Sequence, residues 1–112
     1  MNYTPTPEIS GTHLQGYITT TRAELTRAFG NPLWESDHTE KVTLEWAVLF
    51  EDGTIATVYD WKRYEPRPLG LDEVFQYNIG GLSPRAVDLV TATLEAQKIA
   101  DGYAVHIGQV SA

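Results

Sequence analysis

The chain has 112 residues, enough for one domain with a modest hydrophobic core and too few for two. It contains no cysteine, which excludes disulfides, thiol catalysis and cysteine-ligated zinc. Fifteen acidic residues against eight basic ones give a formal net charge of −7, with a pI near 4.7. Direct binding to nucleic acid draws its affinity from Lys and Arg, so it is not expected; a partner protein with a basic surface suits this balance.

No apolar run approaches the length of a membrane span, so no membrane partner is expected. The start, Met1-Asn-Tyr-Thr-Pro-Thr-Pro7, lacks the basic and apolar regions of a signal peptide, and the chain reads as cytosolic. Residues 1–10, with two Thr-Pro steps, read as a flexible or extended leader, residues 11–100 as a single domain, and residues 101–112 as a tail or edge strand.

Leu14 to Ile18 has strand character, with Gly16 marking a bulge or a close backbone approach. A first helix follows, with Thr21 as N-cap, Glu24 at the capping-box position, Gly30 as its stop and Pro32 just beyond. Leu25, Ala28 and Phe29 form its core side. After a polar connection holding Trp34, two alternating apolar runs, Lys41 to Phe50 and Ile55 to Tyr64, flank Asp52-Gly53. That dipeptide signals a two-residue type I′ hairpin turn. The resulting register places Phe50 opposite Ile55, Trp46 opposite Tyr59 and Leu44 opposite Trp61 on an aromatic face assigned to the core. On the other face Glu45 lies opposite Asp60, with Lys62 diagonal to both.

Glu65-Pro-Arg-Pro-Leu-Gly70 reads as a loop, and Val74 to Ile79 as a third long strand ended by Gly80-Gly81. A second helix opens with Ser83 as N-cap and Pro84 at its first position, runs to about Ala100 and buries Ala86, Val87, Val90 and Leu94. The order predicts an α+β fold: an antiparallel sheet with a long central hairpin and two helices packed on one face. The second face must then meet water or a partner.

Two places carry possible chemistry. The Glu45/Asp60 pair serves acid/base catalysis if one carboxylate holds a proton, a cation if both stay charged, or a partner; Lys62 offers a plain bridge between them. The strand, Gly80-Gly81 and helix start at Ser83 have the general layout of an anion cradle, with Arg85 as counter-charge and an aromatic such as Trp61 or Tyr77 to stack on a base. Trp34 and Tyr64, outside the regular alternation, suit a partner surface. His13, His38 and His106 are scattered with no ligand spacing, and no nucleophile-elbow, HExxH or phosphate-loop pattern occurs. No cofactor is expected.

Gln15 to Gly30, Glu45-Trp46, Asp52-Gly-Thr-Ile-Ala-Thr-Val-Tyr-Asp-Trp-Lys62 and Asn78-Ile-Gly-Gly81 together resemble a family of small proteins of tailed bacteriophages. The resemblance covers about residues 14–94. It implies a viral accessory protein working in the cytoplasm of an infected bacterium, and it supplies no activity for these residues. Where the family has Trp-His ahead of the Ile-Gly-Gly, this chain has Tyr77-Asn78, which weakens a catalytic reading.

The leading expectation is a non-enzymatic, self-associating accessory protein that engages and inhibits a host defence or nucleic-acid-handling protein. Its binding residues would come from Glu45, Asp60, Trp61, Lys62, Tyr64, Gly80, Gly81, Ser83 and Arg85. The alternative is a small-ligand binder that sequesters a nucleotide-type signal at the Gly80-Gly81-Ser83 turn, and a third is a metal-assisted enzyme built on Glu45 and Asp60.

Overall fold

The structure is a computed structural model and describes residues 3–6, 11–35, 42, 44–61 and 70–100. The elements run β1 (Tyr3–Pro5), β2 (His13–Thr21), α1 (Arg22–Phe29), β3 (Trp34–Glu35), β4 (Leu44–Phe50), β5 (Ile55–Tyr59), β6 (Val74–Gly81) and α2 (Arg85–Ala100). The strands form one antiparallel sheet ordered β1-β4-β5-β6-β2, with β3 also on β4. The two short strands share the outer edge of β4: β1 pairs with Val48 to Phe50, and β3 with Leu44 and Glu45. The fold is α+β, as the element order predicts.

Within the leader, read as flexible or extended, Tyr3 to Pro5 is extended and forms a sheet strand. Its anchor is aromatic: the Tyr3 ring meets Phe29 and Phe50 edge-on at centroid distances of 5.2 and 5.8 Å. The tail, residues 101–112, lies outside the described residues, as do Lys62 and Tyr64.

The hairpin forms where expected but closes one residue differently. The Phe50 N–H donates to the Thr54 carbonyl at 2.8 Å and the Gly53 N–H to the Phe50 carbonyl at 2.9 Å, leaving Glu51, Asp52 and Gly53 as a three-residue loop. Gly53, at φ 89°, takes the left-handed position that such loops place last. Leu49 therefore pairs with Ile55, Ala47 with Thr57, Trp46 with Val58 and Glu45 with Tyr59. A one-residue shift reverses a whole strand's alternation. The expected inward face of β4 is right, and that of β5 is inverted: Ala56, Val58 and Asp60 face inward, and Thr57 and Tyr59 outward.

The core lies between this inward face and both helices. Leu44, Trp46, Val48, Phe50, Ala56, Val58, Tyr77 and Ile79 from the sheet join Leu25, Ala28 and Phe29 from α1 and Ala86, Val90 and Leu94 from α2 in one cluster. Thr21 caps α1 by accepting the Glu24 N–H at 3.2 Å, and Gly30 closes it by donating to the Thr26 carbonyl. The Trp46 indole N–H then donates to the Gly30 carbonyl at 2.8 Å, fixing the end of α1 to the centre of the sheet.

Absent side chains set how close α2 comes. A Cβ on Gly81 would lie 2.6 Å from that of Ala86, and one on Gly16 would lie 2.9 Å from a Val87 methyl. Gly16 also follows a break in the β2–β6 register after Leu14, so the expected bulge and the expected close approach both occur.

Gly81→Ala should destabilise the fold by ~1–3 kcal/mol through forced displacement of α2, measured by denaturant unfolding. Gly53→Ala, which meets open space, should cost about 1–2 kcal/mol for its backbone conformation alone. An unchanged unfolding midpoint for Gly53→Ala would contradict the three-residue loop.

Candidate functional site

The face turned away from the helices is where the sequence-predicted residues can be tested. Asp60 is not on it. Its side chain is fully buried on the core side, where it accepts the Leu44 N–H at 3.0 Å, while its own N–H donates to the Leu44 carbonyl at 3.2 Å. It thus extends the hairpin ladder past Tyr59. The expected face-to-face carboxylate pair is corrected by the hairpin register: Glu45 is directly opposite Tyr59, and Asp60 projects to the other side of the sheet.

The two acids still influence each other across the strand. Glu45 is half-buried, and its carboxyl is pushed above the usual carboxylate value, first by burial and second by the nearby Asp60 charge.

The anion cradle is also corrected. Gly80 and Gly81 lie inside β6, paired on one side with Leu14 and His13 and on the other with Thr57 and Ala56, so neither sits in an open turn. Arg85, the expected counter-charge, donates from Nε to Asp52 at 2.6 Å and ties the hairpin loop to the start of α2. This bond, with those from Thr54, holds the Asp52 carboxyl down to about 2. Ser83 is exposed and its carbonyl accepts the Ala86 N–H in the first helical turn. A cleft of about 230 Å³ does border Ser83 and Leu82, but its far wall includes Asp52, a carboxylate that repels an anion.

The pairings instead assemble a row that the sequence reading did not see. Tyr17 is opposite Asn78, Asn78 opposite Tyr59, Tyr59 opposite Glu45, and Glu45 opposite Trp34, crossing five strands at one level. The parallel row beside it runs Leu14, Gly80, Thr57 and Ala47, small at its last three positions. A Cβ on Gly80 would lie 2.5 Å from the Thr57 hydroxyl oxygen and 3.5 Å from the Tyr59 ring, so glycine lets both side chains settle across β6. Tyr59 in turn meets Trp61 edge-on at 6.4 Å.

Leu49 and Ile55 form the next level towards the hairpin loop. Tyr17 is 54% exposed, Leu14 48%, Trp61 43% and Leu49 37% at the margins of this face, while Ala47, Thr57 and Asn78 at its centre are buried and Glu45 is half-buried. Trp61 and Glu45 are the expected binding residues that it brings together. Of the missed members, Tyr59 becomes visible in sequence if the hairpin loop is counted as three residues, whereas Tyr17 and Asn78 join the row through the long-range β2–β6 and β5–β6 pairings.

Among the described residues, no group of three His, Asp or Glu side chains is placed to hold a metal. No helix there is long and apolar enough to cross a membrane. Comparison with protein-family models and with curated proteins finds no match to this chain.

The pKa directions give opposite pH signatures. Glu45 binds its proton more readily folded than unfolded, so its charge costs stability at neutral pH, and that cost fades as pH falls through the raised folded value towards the ordinary 4.5. Glu45→Gln should therefore raise the thermal midpoint at neutral pH and lose that gain below about pH 4. Asp52 is the reverse: its contribution is present above the ordinary 3.8 and is lost as pH falls through about 2. Asp52→Asn should lower the midpoint at neutral pH, and thermal scans across pH check both signs.

Proposed function

We propose that this protein is a non-enzymatic binding protein: a bacteriophage accessory factor that acts in the cytoplasm of the infected host, where it engages and inhibits a host defence or nucleic-acid-handling protein. The observation that carries the reading is the set of apolar and aromatic side chains at the margins of the sheet face turned away from the helices, where Leu14, Tyr17, Leu49 and Trp61 are all more than a third exposed. Accessible apolar patches with aromatic members are the usual material of protein interfaces, and aromatic side chains dominate their energetics.

Charge supplies the chemistry of the partner. A chain of net charge −7 is drawn towards a basic surface, and Glu45 places an acceptor inside the apolar patch where a Lys or Arg would relieve its desolvation. Nucleic-acid-handling proteins carry such basic surfaces as a matter of function, which is the physical argument for that class of target. The bacteriophage setting rests on the sequence resemblance over residues 14–94. The small-ligand alternative loses its support, because Arg85 is bonded to Asp52 and the two glycines are held in the sheet.

Immobilised protein should capture a host protein from lysate at low salt, and capture should weaken as salt screens the attraction. Tyr17→Ala and Trp61→Ala should each cost about 2 kcal/mol of binding while leaving the thermal midpoint nearly unchanged. No capture at low salt, or capture indifferent to both substitutions, would overturn the reading.

A further inference from the structure

The two edges of the sheet are finished differently. The outer edge of β4 is covered by two short strands, β1 with three residues ending in Pro5 and β3 with two. The opposite edge is β2, nine residues long, which pairs with β6 on its inner side and carries no strand on its outer side among the described residues.

Proteins protect exposed edges of this length with charges, prolines, bulges or brevity. The segment His13-Leu-Gln-Gly-Tyr-Ile-Thr-Thr-Thr21 has no Lys, Arg, Asp, Glu or Pro, in a chain where 21% of residues are charged. Its one protective device, the irregularity between Leu14 and Gly16, leaves the stretch from Gly16 to Thr21 regular. Tyr, Ile and Thr there are good strand formers.

We propose that two copies of this chain associate through the outer edge of β2, pairing antiparallel across a two-fold axis perpendicular to the sheet. Charge argues for a second copy as the occupant. An isologous antiparallel seam sets the strand against itself, and a strand with no carboxylate or ammonium group brings no like charges opposite each other in any register. A basic partner strand, by contrast, would find no carboxylate on β2.

The perpendicular axis keeps all described helices on one side and joins the two faces turned away from them into one. Leu14 and Tyr17 of both copies, exposed on that face, then lie near the seam and add apolar contact to the backbone hydrogen bonds. One strand edge buries less than the roughly 1,200 Å² of standard stable interfaces, so the dimer is concentration-dependent.

The inference rests on the β2 edge, whereas the host-partner reading rests on the face turned away from the helices; the two share Leu14 and Tyr17 and have opposite salt responses. Each copy carries −7, so salt screens the repulsion between the two bodies and strengthens the dimer.

Sedimentation analysis of the full chain over a concentration series, at low and high salt, tests it. The expected result is a monomer–dimer equilibrium that shifts towards dimer with salt. Thr19→Lys and Thr19→Glu, at an exposed position of β2, each place like charges across the seam and should give monomer throughout the same range with unchanged circular dichroism. Glu51→Lys, in the hairpin loop at the far side of the sheet, should leave the dimer intact. Because the chain has no cysteine, Thr19→Cys supplies an independent readout: a covalent dimer on mild oxidation, which Glu51→Cys should not give. A monomer at every concentration and salt, or a dimer indifferent to both charged substitutions at Thr19, would overturn it.

Discussion

The closure of the β4–β5 hairpin is the constraint from which the rest of the molecule follows. The Phe50 N–H donates the last ladder hydrogen bond to the Thr54 carbonyl, and Gly53 accepts the positive φ that brings the chain back in register. That choice decides which side of β5 meets the helices. It puts Val58 and Ala56 in the core with the helices and Asp60, at the end of the hairpin ladder, in the interior, and it sends Tyr59 and Thr57 to the opposite face. Asp52 reinforces the closure by accepting the Thr54 N–H and holding Arg85, so the loop that sets the register also fixes the start of α2. A side chain serving two elements at once makes each less free to shift without the other.

Small residues then determine how tightly the layers close. Gly16 and Gly81 leave the space that Val87 and Ala86 fill on the helix side, while Gly80 leaves the space that Thr57 and Tyr59 fill on the other. The Gly80-Gly81 step thus works on both faces of β6 in succession, as alternation along a strand requires. The two glycines that resemble an anion loop in sequence are explained by packing, one under a helix and one under an aromatic ring.

The sheet that results is asymmetric in two respects. Among the described residues, one face is covered by helices and the other by no helix or strand, and one edge is covered by short strands while the other is bare. The face turned away from the helices presents apolar and aromatic side chains at its margins and a half-buried carboxylate, and the bare edge presents a neutral row of backbone groups. Charge therefore enters the two surfaces with opposite signs: attraction for a basic partner on the face, and repulsion between like bodies at the edge.

By itself, the sequence determined what local chemistry can specify. Both helices, with Thr21 and Gly30 bounding the first, the hairpin, the strand through Tyr77 and the α+β class were legible, because caps, periodicity and turn residues act within a few positions of themselves. The inward side of β4 was legible too, since Leu44, Trp46, Val48 and Phe50 alternate strictly. Tertiary structure alone decided whether the hairpin loop has two residues or three, because both faces of β5 carry apolar side chains and either alternation buries some of them. On that single residue turned the separation of Glu45 from Asp60, the cross-strand row from Tyr17 to Glu45, and the exposure of Trp61. The pairing of Arg85 with Asp52, thirty-three positions apart, and the strand formed by Tyr3 to Pro5 were likewise set by long-range contact, which no local pattern encodes.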